Sequence, residues 1–177
     1  KITLRPGQLF LETTGRLQSI KPYSVPFANS DNAAAHATDE MEIIYPPESY
    51  VVGHSRDTTA KLWPYIDDTG NDYSWFKETK RILSVFAMGN ALLEDWWGVY
   101  SHDQDIDAGT VIVSDHRKAP GKKYFTWGSH EQGRLWDNVL SDEDGPYVEI
   151  QVQAYFDHLN YGRSEERRVG KECATGC

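Results

Sequence analysis

YVEIQVQAYF, residues 147–156, is the stretch that decides the fold class. Val148, Ile150 and Val152 alternate with Glu149, Gln151 and Gln153, and a period of two marks an extended strand with one apolar and one polar face. Tyr147, Glu149 and Gln151 share the polar face; Val148 and Ile150 share the other. The acidic turn DEDGP at 142–146 comes just before it. Upstream of that turn Leu135, Trp136, Val139 and Leu140 fall at helical offsets, which predicts one or two helical turns over 133–140.

Four more short runs carry β-branched and aromatic residues: ILSVFAM (82–88), WWGVYS (96–101), GTVIVS (109–114) and KYFTW (123–127). Their spacing is that of an antiparallel sandwich or barrel. In WWGVYS the adjacent Trp96 and Trp97 must point to opposite sides of a sheet. KITLRPGQLFLETT (1–14) alternates around Pro6-Gly7 and predicts two short strands about a turn. EMEIIY (40–45) and residues 50–52 read as strands separated by Pro46-Pro47, with a meander expected between them. Residues 21–39, with Pro22, Pro26, Asn29, Asp31, Asn32 and a run of alanines, show no clear period and read as a loop. Residues 63–80 read as a structured loop. The expected fold is all-β, with long loops and at most one short helix.

The 177 residues suit one domain, and such a length buries roughly 70% of the surface its unfolded form exposes. With 27 Asp and Glu against 18 Lys and Arg, the net charge of −9 repels a phosphate backbone, so nucleic acid is not an expected partner. A mean hydropathy of −0.62 and the absence of a long apolar run argue against a membrane span. A soluble protein of the bacterial cytoplasm or periplasm is expected, with the compartment open. Both cysteines, Cys173 and Cys177, lie in the last five residues, so the body of the chain has no thiol for a zinc cluster, a disulfide or cysteine catalysis.

The segment RSEERRVGKEC (163–173) is a polar run without apolar periodicity, and it resembles the in-frame translation of a common sequencing adapter. Residues 163–177 are therefore expected to be a non-native tail, with the domain ending at 162. The chain opens on Lys1-Ile2-Thr3-Leu4 as an interior strand would. The expectation is a domain cut at both ends whose partner is the remainder of a longer polypeptide.

Aromatic residues make up 12% of the chain, more than a core of this size needs. Sugars present hydroxyls around apolar C–H faces, so a sugar site sets aromatic platforms beside carboxylates and amides. Trp75 in DYSWF and Trp127 before Gly128 are the candidate platforms, with Asp72, Asp115 and Tyr147 as further substrate-binding candidates. Core packing is the competing reading for any Trp. His54, His102 and His116 each sit among polar neighbours, and histidine is the natural acid at neutral pH; a structural histidine is the competing reading. The DEDG turn lacks the alternating ligands of a calcium loop, and Gly121-Lys122-Lys123 is followed by a strand where a phosphate loop needs a helix, so neither a metal nor a cofactor is expected.

MEIIYP (41–46), DYSWF (72–76), DHRKAPGKKYFTWG (115–128) and GRLWDNVLSDEDGPYVEIQ (133–151) resemble the bacterial family called domain of unknown function 5107, which belongs with the galactose-mutarotase-like proteins. The likeness runs from about residue 4 to about residue 162. It implies an incomplete antiparallel β-supersandwich with exposed sheet edges, and a carbohydrate ligand. In mutarotase-like sites a carboxylate takes the anomeric proton while a histidine donates to the ring oxygen. Glu149, the only carboxylate inside a strong strand pattern, is then the expected base, with a solvated outer sheet face as its competing reading, and His102 or His116 the acid, in a glycoside hydrolase-like or sugar epimerase-like enzyme. A non-catalytic sugar-binding module or a structural β-domain remain the alternatives. An enzyme requires the carboxylate and histidine to converge; a binding module requires only the aromatic floor.

Overall fold

A computed structural model of the chain describes residues 1–20, 23, 27–54 and 59–155, which fall into two compact units. In the first, which spans Lys1–Phe27 and Gly162–Cys177, β1 (Ile2–Thr3) pairs antiparallel with β2 (Glu12–Thr13). These are the two short strands expected about Pro6-Gly7. Arg5 and Glu12 close an ion pair of 2.9 Å across them. The polar run from 163, with its adapter-like sequence and the boundary placed at 162, lies outside the described residues.

The second unit, Ala28–Tyr161, holds β3 (Ser30–His36), β4 (Met41–Ile44), β5 (Ser49–Gly53), β6 (Lys61–Leu62), β7 (Leu83–Gly89), β8 (Trp96–Ser101), β9 (Ala108–Val113), β10 (Gly121–Thr126), α1 (Glu131–Leu140) and β11 (Tyr147–Gln153). The strands form two antiparallel sheets, one of six in the order β3-β11-β10-β7-β5-β6 and one of three in the order β4-β8-β9. The fold is thus an all-β sandwich with one short α-helix. Among the described residues no helix is long and apolar enough to cross a membrane.

The core lies between the sheets. The larger sheet contributes Ala35, Val51, Val85, Tyr124, Val148 and Ile150, and the smaller Met41, Ile43, Trp97 and Val99. Each large apolar side chain removed from water here stabilises the fold by about 1.5–3 kcal/mol. Tyr45 stacks on Trp97 at 4.8 Å and meets Trp63 edge-on at 5.3 Å. Trp97 is fully buried while Trp96 is exposed, as alternation along a strand requires. The loop at 63–80 is structured through Asp67, which accepts from the Thr69 hydroxyl, from Tyr73 Oη at 2.6 Å and from Arg81 at 3.1 Å. The Thr69 bond, above all, holds its carboxyl below the ordinary value.

Two expectations need correction. Residues 30–36 are not loop: β3 pairs with β11 along its whole length, from Tyr147 opposite His36 to Gln153 opposite Ser30. Its sequence SDNAAAH hides this, since Ala33 and Ala35 face the core with only a methyl group each and the polar residues are those of an edge strand. No meander joins β4 to β5; the chain crosses from the smaller to the larger sheet at Pro46-Pro47, where the ladder cannot continue. The helix expected over 133–140 is present as α1; within it Gly133 and Asp137 are buried, whereas Leu135, Trp136, Val139 and Leu140 are exposed.

The four sheet edges are protected unequally. Trp75 bridges to Glu42 and the Ile43 N–H donates to Ser74 O at 2.7 Å, covering the edge of β4. β3 carries Asp31 and His36, and β6 is two residues long. Among the described residues β9, AGTVIV, pairs with β8 alone; it carries no charge and exposes five of its six residues, with Val113 at 73%.

Candidate functional site

The face of the larger sheet that points away from the core carries an ordered polar row. Register places Gln151 opposite Lys123 and Lys123 opposite Phe86; one step along, Glu149 stands opposite Phe125 and Phe125 opposite Ser84. Gln151 links the row: its Nε2 donates to Glu149 Oε2 at 2.7 Å and its Oε1 accepts from Lys123 Nζ at 3.4 Å. The Lys123 ammonium also lies 5.8 Å from the Phe86 ring centroid and 5.7 Å from that of Phe125, within range of a cation–π contact. Lys123, Gln151 and Gln153 are buried; Glu149 and Phe125 are half-buried. Burial pulls the Lys123 pKa down, and the charge of Glu149 opposes that shift.

At the Glu149 end, Trp127 Nε1 donates to Tyr147 Oη at 3.1 Å, Phe125 packs edge-on against Trp127 at 5.0 Å, and Trp136 stacks on Trp127 at 5.4 Å. Trp136 reaches this position because α1 seats tightly on the preceding turn: a Cβ on Gly133 would lie 2.3 Å from Gly128 O. At the other end Gly121 is obligatory, since its Cβ would lie 1.7 Å from Tyr155 O where the chain beyond β11 crosses back over the face. The site is a dry polar floor, closed by Tyr155 at one end and flanked by aromatic rings at the other.

Of the residues singled out from sequence, Glu149, Tyr147 and Trp127 come together on this face. His102 and Trp75 do not: they lie on the outward face of the smaller sheet. There His102 Nε2 and Glu42 Oε2 are 2.9 Å apart, with Trp75 and Tyr100 packed against the imidazole at 5.4 and 5.0 Å. Asp72 accepts from the backbone N–H of Ser74 at 3.0 Å and from its hydroxyl, which shapes the turn leading into Trp75. His116 and Asp115 sit between β9 and β10. His116 pairs with Asp95 at 2.7 Å, and Asp115 accepts from Arg117 Nε at 2.9 Å with Lys118 at 3.7 Å.

These last partners explain two lowered carboxyl pKa values, that of Asp95 chiefly through the His116 backbone N–H and that of Asp115 through the Arg117 side chain. Asp95, Asp115 and His116 bring three ligand atoms within 4.8 Å of one another, but Arg117 and Lys118 already neutralise Asp115 and oppose a cation. Lys123 and Phe125 were passed over in the sequence. Their signal was a lysine in the middle of an aromatic strand, a place where a solvated charge is not expected.

Residues 1–172 match the family described as Domain of unknown function (DUF5107). The chain belongs to that family. It is also similar in structure to a solved TPR-domain containing protein from Parabacteroides distasonis, at a TM-score of 0.62 and 17% identity. That likeness covers 81% of this chain but 23% of the other, so the DUF5107 chain spans less than a quarter of that protein's length. At this identity the likeness speaks for the fold alone.

Proposed function

We propose that this DUF5107 chain binds carbohydrate on the outward face of its larger sheet, as one module of a longer polypeptide. The observation that carries the reading is the Lys123–Gln151–Glu149 row set between Phe125 and the Trp127–Trp136 pair. The rings offer flat surfaces for the C–H face of a sugar, while Glu149 and Tyr147 offer acceptors and donors to its hydroxyls. The short share of the Parabacteroides distasonis protein that this chain matches supports the modular part of the reading.

Binding requires only the aromatic floor, whereas anomeric acid–base turnover requires Glu149 and a histidine to converge. Glu149 and His102 point outward from opposite sheets of the sandwich, with the whole core between them. On the face of Glu149 the nearest described histidine by register is His36, which stands opposite Tyr147 on the adjacent strand β3. It is a diagonal neighbour of Glu149, roughly 7–8 Å away at the backbone, and among the described residues no hydrogen bond joins the two. Isothermal calorimetry against a panel of hexoses and uronic acids tests the reading. Trp127→Ala and Glu149→Gln are expected to weaken binding at least tenfold and His102→Ala to leave it unchanged. Absence of binding across the panel, or loss through His102→Ala alone, overturns it.

A further inference from the structure

Two donors of the polar floor are poorly partnered. Lys123 is 6% exposed, yet its ammonium has one hydrogen bond, the 3.4 Å contact to Gln151 Oε1. Gln151 is committed on its other side to Glu149. Two residues along β11, on the same face, Gln153 is 3% exposed and its Nε2 has no partner. Gln153 stands opposite Gly121, and Lys123 lies two positions from Gly121, so the two donors are diagonal neighbours roughly 7–8 Å apart at the backbone. Side chains of this length converge across that gap.

A buried amide N–H left unbonded, and a buried ammonium whose only acceptor is a neutral carbonyl at long range, are each costly. Both are relieved by one group: an oxyanion with two acceptor atoms. The carboxylate of Glu149 does not serve: Gln151 Nε2 holds its Oε2, and among the described residues no hydrogen bond joins it to Lys123 Nζ or Gln153 Nε2. Resting on the carbohydrate reading above, we propose that the ligand is an acidic sugar whose carboxylate is received by Lys123 and Gln153, with its ring toward Phe125, Glu149 and Trp127. A uronic acid has this form: a flat C–H face for the aromatic end and a carboxylate at the ring's edge. Desolvation depresses the Lys123 pKa in the free protein, and an incoming carboxylate opposes that shift.

The test compares, on the intact chain, glucuronate and galacturonate with glucose, galactose, glucuronate methyl ester and glucose 6-phosphate by calorimetry. The expected result is binding of the uronates at least tenfold tighter than of the parent hexoses, with the methyl ester falling to the hexose level. Lys123→Met keeps the buried stem and removes the charge, so it is expected to retain the fold and abolish the preference. Gln153→Leu is expected to reduce it. Equal binding of uronate and hexose, or a preference that survives Lys123→Met, overturns the acidic-sugar assignment while leaving the carbohydrate reading in place. Tighter binding of glucose 6-phosphate than of either uronate overturns the carboxylate in favour of a phosphate. Failure of every sugar removes both readings together, and the comparison among ligands on the unmodified chain decides the matter even where a variant does not fold.

Discussion

On the larger sheet Glu149 and Lys123 stand in one row with Gln151 and Phe125, shielded from water, whereas on the smaller sheet Glu42 and His102 form a pair that solvent reaches from outside. Both faces join a carboxylate, a basic group and aromatic rings. The difference is the surrounding medium. A solvated ion pair contributes about 0–1 kcal/mol, while buried polar groups are strongly coupled and demand partners. The residue types on the two faces are alike, and shielding alone makes one of them a candidate binding floor.

The contrast can be broken most sharply at Gly121. If Tyr155 closes the larger face, Gly121→Ala must push backbone away from backbone, and a loss of about 3 kcal/mol in urea unfolding is expected. A neutral outcome would mean that the face is open at that end. A smaller effect, visible through pH, concerns the helix that carries Trp136 to the rim. Asp137 is 1% exposed, and neither carboxyl oxygen has a hydrogen bond of good geometry. Burial raises its pKa, with the Tyr147 N–H and Arg134 opposing only in part.

Because the folded-state pKa lies above the unfolded value, the stability linked to this proton is fully present below pH ~3.9 and is lost as pH rises through the raised pKa. Asp137→Asn is expected to remove that decline in thermal melts taken across the acidic range; an unchanged pH profile would show that the carboxyl is solvated. The smallest effect belongs to the smaller sheet. His102→Ala is expected to change stability by less than about 0.5 kcal/mol in the same urea assay. A loss as large as that of Gly121→Ala would erase the distinction between the faces.

The β-rich fold was legible because most strands carry their pattern locally. YVEIQVQ alternates at the period of a sheet, and WWGVYS announces one buried and one exposed tryptophan. β3 was not legible, since SDNAAAH acquires its strand character from β11 beside it and not from its own side chains. The candidate site was half legible. Glu149, Tyr147 and Trp127 follow from strand parity and from a polar-aromatic phrase, but their union with Lys123 depends on the register of β10 against β11, a long-range pairing that no local pattern records. The pairing of Glu149 with His102 did not form, for the same reason. Which sheet a strand joins is settled by packing, and His102 went with β8 into the other layer.

The open edge of β9 bears on how the protein behaves in concentrated solution. An uncharged ribbon of β-branched residues offers two copies a contact without local repulsion, which the overall charge of −9 opposes. That long-range barrier reaches about 30 Å at 0.01 M salt and about 8 Å at 0.15 M. Colloidal stability therefore falls as ionic strength rises, and dilute buffer is the medium in which this chain stays apart from its copies.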